Sequence, residues 1–194
     1  MQNLTAVTAG KEDEARAIAS LVTAFASDPF IRWMFPDASQ YLHSFPLVLK
    51  HFAGGAFDHG SAYRSSDFQA AALWLPPGVN PDDEALGAVM EGGVAAALQD
   101  EVFSVLEQVG AGHPEDAHWY LPAMGADPMS QGKGYGSGLM ARGLQPCDHA
   151  HVAAYLESTN PANVPFYRRF GFEVIGEIQS GSSPIVTRML RAAR

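Results

Sequence analysis

The chain has a single cysteine, Cys147, so an internal disulfide cannot form and a reducing, cytoplasmic setting is the expectation. It lacks a long apolar run. The longest stretch without a formal charge, Phe68 to Pro81, is interrupted by Pro76 and Pro77, whereas a membrane-spanning helix needs roughly 18 apolar residues. The first ten residues, MQNLTAVTAG, have no basic segment and no apolar segment of the kind a signal peptide carries. Charge is sparse at 17% Asp, Glu, Lys and Arg, but 47% hydrophobic content supplies a core, which excludes a mainly disordered chain. Basic charge is scarce, and the net of −9 argues against general nucleic-acid binding. The charges are uneven: residues 1–132 carry 5 basic and 17 acidic side chains, residues 133–194 carry 7 basic and 4 acidic. Two readings stay open. Either a basic final third meets a polyanionic ligand while the acidic remainder favours a cationic one, or the distribution is scatter around an exposed basic tail.

What is present alternates between helix and strand. Leu4–Thr8 reads as a strand. Lys11–Ala26 reads as an amphipathic helix, with Ala15, Ile18, Ala19, Val22 and Phe25 on one face. Asp28-Pro29 ends it and begins a short turn. Tyr41–Phe57 is predicted helical, disturbed by Pro46 and weakened by Gly54-Gly55. Ser61–Ser65 and Gln69–Leu75 are predicted strands around a Ser66-Asp67 turn. Pro81–Glu84 is a helix start whose helix runs to Val109 with a break at Gly92-Gly93. His118–Ala126 is an apolar strand in which Pro122 signals a bulge or an unpaired stretch. A helix from Gly134 to Leu144, a strand Val152–Glu157, a helix Asn163–Phe170 and strands Phe172–Ile178 and Ile185–Leu190 complete a mixed, mostly antiparallel α/β (α+β) pattern. No linker divides residues 1–194, so a single domain is expected.

The most informative segment, Asp127 to Gly138, lies between a strand and a helix. Gly132, Gly134 and Gly136 allow main-chain amides to turn inward, and the helix start adds unpaired N–H groups, which together suit a phosphate or pyrophosphate. A Walker loop is excluded because Asp127 stands where its first glycine belongs and Gly134 where its Ser or Thr belongs. A G-x-G-x-x-G fingerprint fails at Ser137 and at Leu139. The run Cys147-Asp148-His149-Ala150-His151 gathers potential metal ligands, but it leads from a helix end into a strand and H-x-H alone does not define a tetrahedral site. It reads as a polar connector, Cys147 as an inert thiol, and metal as none. No G-x-S-x-G elbow occurs.

Gln131-Gly132-Lys133-Gly134-Tyr135-Gly136 resembles the Q/R-x-x-G-x-G/A signature of the GCN5-related N-acetyltransferase (GNAT) superfamily. Downstream, Asn160 precedes Tyr167 by seven residues, and Phe166-Tyr167-Arg168-Arg169-Phe170-Gly171-Phe172 resembles that family's second motif, with Asn163 in place of its alanine. The runs His118-Trp-Tyr-Leu, Tyr155-Leu-Glu-Ser and Asn163-Val-Pro-Phe-Tyr are similar to the puromycin N-acetyltransferase branch, most clearly across residues 117–175. The resemblance implies a mostly antiparallel twisted sheet of about six to seven strands flanked by helices, with a bulged, splayed central strand. It implies acetyl-CoA as co-substrate. Gln131, Gly132, Lys133, Gly134, Tyr135, Gly136 and Ser137 would hold the pyrophosphate, Met124, Gly125 and Ala126 would pair with the pantetheine arm, and Asn160 would hydrogen-bond it.

The chemistry fits these residue types. An alkyl amine has a pKa near 10.4, so only about one molecule in a few thousand is neutral at pH 7, and a base must remove a proton. A leaving thiol of pKa near 8.5 can be protonated by a phenol, the role the resemblance gives Tyr167. Glu157 is the candidate base, directly or through water, with a carboxylate held by an arginine such as Arg168 as the alternative. His118 and Tyr120 are further candidates. Asp28, Phe30 and Trp33, clustered with Ile31 and Phe35, suit a cationic amine or, equally, core packing. The expected partner is a small-molecule primary amine, with neither nucleic acid nor membrane, and a homodimer is compatible. A protein amine as acceptor, a CoA-binding module without catalysis, and a nucleotide-phosphate binder remain alternatives.

Overall fold

The strand Ala70–Leu75 explains most of the architecture. All six of its side chains are buried, and they alternate: Ala71, Leu73 and Leu75 face one apolar core, Ala70, Ala72 and Trp74 the other. A strand apolar on both faces must be covered on both faces. Burial of a large side chain such as Trp74 is worth about 1.5–3 kcal/mol, enough to fix this strand at the centre.

The computed structural model describes residues 6–194. The strands are β1 (Ala6–Thr8), β2 (Ala62–Ser65), β3 (Ala70–Leu75), β4 (His118–Ala126), β5 (Ala153–Ser158), β6 (Glu173–Ile178) and β7 (Val186–Arg191). The helices are α1 (Glu14–Ala24), α2 (Pro29–Met34), α3 (Ala38–Ala53), α4 (Gly55–Asp58), α5 (Asp83–Gly93), α6 (Gln99–Ala111), α7 (Tyr135–Ala150) and α8 (Val164–Arg168). The seven strands form one sheet in the order β1-β2-β3-β4-β5-β7-β6, antiparallel except where β4 meets β5. This is the mixed, mostly antiparallel sheet that the residue pattern and the resemblance led us to expect. Of the strand expected over Leu4–Thr8, Leu4 and Thr5 lie outside the described residues. Side chains from α1, α2, α3, α5 and α6 fill the core on one face, and α7 and α8 cover the other. No helix among the described residues is long and apolar enough to cross a membrane.

Helix starts follow local chemistry. Asp28 accepts from the amides of Phe30 (3.0 Å) and Ile31 (3.1 Å) ahead of α2, Asp37 from Ser39 and Gln40 ahead of α3, and Asp82 from Ala85 ahead of α5. Two helices carry a proline in their interior: the one expected over Tyr41–Phe57 is α3, which starts earlier, at Ala38, and ends at Ala53, and α7 runs past its expected end. Pro46 sits inside α3, and the Leu42 carbonyl it leaves without a donor belongs to an exposed residue that water can satisfy. The helix expected to end at Leu144 continues to Ala150 through Pro146, because Met140, Gly143, Leu144 and Cys147 form a buried stripe that holds it against the sheet. The run from Cys147 to Ala150 is therefore the last turn of α7 rather than a connector. Burial pushes the Cys147 thiol up to about 12, so it stays protonated.

Candidate active site

The site begins with a defect in β4. Leu73 pairs with Ala123, but Leu75 pairs with Tyr120, so β4 has one residue too many around Pro122. The facing of its side chains switches there. Tyr120 belongs to the core under α3 and α6 and Leu121 to the opposite core, yet Ala123 again belongs to the first and Met124 to the second. Proline donates no ladder hydrogen bond, so the extra residue falls where it costs least. On the other side, β4 pairs with β5 only over His118–Tyr120 and Ala153–Tyr155. Beyond those residues the two strands part and leave a gap in the middle of the sheet.

One side of the gap is a polar cleft of about 530 Å3. Met124, Gly125 and Ala126 of β4 line it, as do Gln131, Gly132, Gly134, Tyr135, Gly136, Ser137 and Asn160. Gly132 and Gly134 adopt φ of 73° and 96°, a region that a Cβ disfavours. Gly134 is the N-cap of α7 and contributes no side chain to it, unlike the aspartates ahead of α2, α3 and α5. The Gly138 amide is the first to donate back, to Gly134 (3.0 Å), so the preceding amides have no helical acceptor and form an anion cradle at the positive end of a 16-residue helix. Lys133 does not join the lining; its Nζ donates to the Met129 carbonyl at 2.8 Å. The Tyr135 hydroxyl is bound to Asp67 at 2.6 Å, which leaves its amide for the cradle. Asn160 is half committed: its side-chain oxygen accepts from Ala162 at 3.0 Å, and its amide nitrogen remains as a donor. These groups match the donors a diphosphate and a pantetheine amide require.

Tyr167 lines this cleft and also a second cavity of about 100 Å3, and Phe25, Met124 and Asn163 likewise border both. Burial, with a lesser contribution from the Asp28 charge, pushes the Tyr167 phenol well above its usual range, so it is protonated at neutral pH. Asp28 is itself buried, and burial raises its carboxyl against the hydrogen bonds from Ile31, Thr159 and Phe30. Its Oδ2 takes the Thr159 hydroxyl at 2.7 Å. Asp28 is thus a helix cap that also lines the polar cleft.

This second cavity is mainly apolar. Phe30 and Ile31 of α2 line it, but so do Phe45 and Phe52 of α3, Leu86 of α5 and Leu106 of α6. The sequence points to α1, α2 and their connection as the pocket; α3, α5 and α6 supply the walls it did not. Trp33 is outside the lining, where its indole donates to Ser182 at 3.1 Å and pins the segment before β7.

Glu157 closes the far wall. Strand alternation puts it on the same face of β5 as Tyr155, under α3 and α6. Burial pushes its carboxyl up to about 7, and the dipoles of Tyr155 and Tyr120 and the charge of Arg188 restrain the rise. The tyrosines act without a direct bond, because Glu157 Oε1 and Tyr155 Oη are both buried with no hydrogen-bond partner among the described residues. The arginine opposite Glu157 is Arg188, its register partner on β7, and not Arg168, which belongs to α8 on the other face of the sheet. Arg188 makes no ion pair with Glu157; its Nη1 donates to the Gly112 carbonyl at 3.2 Å. His113 is the group sequence reasoning missed, with Nε2 3.8 Å from Glu157 Oε1. It sits in a loop with no motif around it, so only the packed structure reveals it. Among the described residues no cluster of histidine, cysteine and carboxylate groups is arranged to hold a metal.

Known proteins resemble this chain in sequence and in fold. Residues 95–174 match the family model described as "Acetyltransferase (GNAT) domain". An N-acetyltransferase of Schizosaccharomyces pombe, itself named as uncharacterized, is 27% identical over 175 residues, covering 83% of this chain and 71% of its own. A Corynebacterium glutamicum structure described as histone acetyltransferase HPA2 and related acetyltransferase superposes with a TM-score of 0.67 at 26% identity, over 98% of this chain and 96% of that one. Arylalkylamine N-acetyltransferase 2 from Aedes aegypti shares the fold at a TM-score of 0.68 and 11% identity, with both chains covered in full.

Proposed function

From the premise that this chain is a GNAT acetyltransferase, we propose that it transfers the acetyl group of acetyl-CoA to the primary amine of a small, largely apolar molecule, by direct attack with both substrates bound. The observation that carries this reading is the junction of two unlike cavities: a polar cleft with an anion cradle meets a mainly apolar cavity, with Tyr167 lining both and Glu157 lining only the second. Small amines are also the acceptors named for fold neighbours such as agmatine N-acetyltransferase, which at 11% identity shares only the fold.

Acetyl-CoA, when bound, supplies an activated acetyl thioester. The amides of Gln131 to Ser137 hold its diphosphate, and the free edge of Met124 to Ala126 aligns the pantetheine arm like an added strand. The apolar cavity takes the body of the acceptor and expels water from around its nitrogen. Glu157, whose carboxyl titrates at about 7, removes a proton from the ammonium and so presents a neutral amine. A carboxylate of ordinary pKa would be a much weaker acceptor for that proton. Tyr167 gives its proton to the departing sulfur, and the phenolate, with its high affinity for protons, takes up the second proton that the attacking nitrogen loses as the amide forms.

The test is thiol release from acetyl-CoA with a panel of amines that differ in apolar bulk, run on the native chain and on Tyr167→Phe. Release that rises with apolar bulk and falls in the variant supports the proposal. Tight CoA binding without amine-stimulated release across the panel would favour the non-catalytic module.

A further inference from the structure

Glu157, itself buried, receives a proton in a mainly apolar cavity at every turnover, and that proton has to leave. An outlet lies next to it. His113 Nε2 is 3.8 Å from Glu157 Oε1, His113 Nδ1 is 2.9 Å from His118 Nε2, and His118 Nδ1 is 2.8 Å from the Asp116 carbonyl oxygen. The backbone end of this chain fixes every tautomer. A carbonyl oxygen only accepts, so His118 carries its proton on Nδ1 and offers a bare Nε2. His113 must then donate from Nδ1, which leaves its own Nε2 bare and facing the carboxylate. Two acceptors confront each other across 3.8 Å, and Glu157 Oε1 is accordingly without a hydrogen-bond partner. One added proton satisfies both.

We propose that His113 and His118 form a proton outlet that carries the proton taken up by Glu157 from the apolar cavity to solvent. The proposal rests on the reading of Glu157 as proton acceptor. In the transfer, the protonated Glu157 gives its proton to His113 Nε2 as His113 Nδ1 gives its own to His118 Nε2. His118, briefly an imidazolium, releases the Nδ1 proton to water; each ring, now protonated on Nε2, resets by turning toward the outer cavity that it lines, where water takes the Nε2 proton and returns one to Nδ1, so one proton passes from Glu157 to solvent in each cycle. No charge rests on His113, whose imidazole is held neutral by burial and by His118, with a pKa lowered to about 4. The groups that face the relay are Tyr120 and Tyr155, whose rings pack on His113 at 4.5 and 4.8 Å, and Arg188 across from Glu157. The far end opens as an outlet requires. His113 and His118 line a separate cavity of about 480 Å3 whose rim carries Asp83, Glu115 and Asp116, and the three acids are exposed. A negative rim attracts the outgoing proton.

Two measurements test the outlet. In 15N NMR of the native chain at pH 7, both His113 and His118 should show the Nδ1–H tautomer; an Nε2–H tautomer on either ring overturns the proposal. In kinetics, His118→Ala should lower kcat in weak buffer while leaving the KM for acetyl-CoA unchanged. Imidazole buffer, which fits the vacated cavity, should restore kcat in a saturable manner. His113→Gln should show the same loss with weaker rescue, and thermal melts should establish that both variants fold. An unchanged kcat, or a loss that no buffer repairs, overturns the outlet while Glu157→Gln remains inactive. Full activity of Glu157→Gln would instead overturn the reading of Glu157 itself.

Discussion

The Asp28 carboxylate and the Thr159 hydroxyl are joined at 2.7 Å, although 131 residues separate them in sequence. The bond ties the cap of α2 to the turn after β5, so one hydrogen bond links the two sides of the cleft where Tyr167 sits. Thr159→Val leaves a buried carboxylate oxygen without its partner and should cost about 1–3 kcal/mol in urea unfolding. Asp28→Ala also removes the cap and should cost more. In both, the KM for amine should move less than the stability does. The reverse pattern for Asp28 would assign it to acceptor binding instead.

Glu157 gives the stability of the chain an unusual pH dependence. In the folded chain its carboxyl titrates at about 7; in the unfolded chain it titrates near its ordinary 4.5. Between those values the folded state holds the extra proton, so stability falls as pH rises from about 4.5 to about 7 and is level above. Glu157→Gln should be more stable than the native chain at pH 8, by on the order of 2 kcal/mol, and should lose that advantage at pH 4.5. Its kcat should drop by roughly 10²-fold or more, and the acid limb near pH 7 in the native rate profile should disappear. Urea titrations at the two pH values and a pH–rate profile check both statements.

Tyr167→Phe removes one oxygen from a side chain that is otherwise packed in the core with Phe166 and Phe172. Stability should change by less than about 1 kcal/mol. The rate of thiol release should fall by roughly 10²-fold or more, with the Kd for acetyl-CoA in calorimetry unchanged.

Gly134 caps α7 at a φ of 96°, a conformation that costs a residue with a Cβ about 1–2 kcal/mol. Gly134→Val should distort the cradle. It should abolish the rise in melting temperature that CoA gives the native chain, while far-UV circular dichroism stays native-like.

Gly143 lies where α7 crosses β3, and a Cβ there would overlap the Trp74 indole nitrogen. Both residues are buried, so neither can move away cheaply. Gly143→Ala should destabilise by about 1–3 kcal/mol, measured as a lower urea midpoint, and the cofactor affinity of the folded fraction should hardly change.

The sequence by itself determined the features whose causes are local. Gly132 and Gly134 permit a turn that other residues resist, Asp82 announces a helix start, and Pro122 marks the bulge that opens β4, whereas Asp28-Pro29 reads only as a short turn where α2 in fact starts. These depend on a residue and its near neighbours, so they survive reading one residue at a time. The end of α7 lies beyond the expected Leu144 because a buried stripe, not local propensity, carries the helix past Pro146. Only the tertiary structure decided what faces Glu157. His113 comes from the loop after α6, Tyr120 from β4, Arg188 from β7, and the cavity walls from five separate helices. Sheet order and cross-strand register bring them together, and they also set Arg188 rather than Arg168 opposite the carboxylate. A carboxyl's affinity for a proton depends on the burial and charges around it, and those exist only once distant segments have packed.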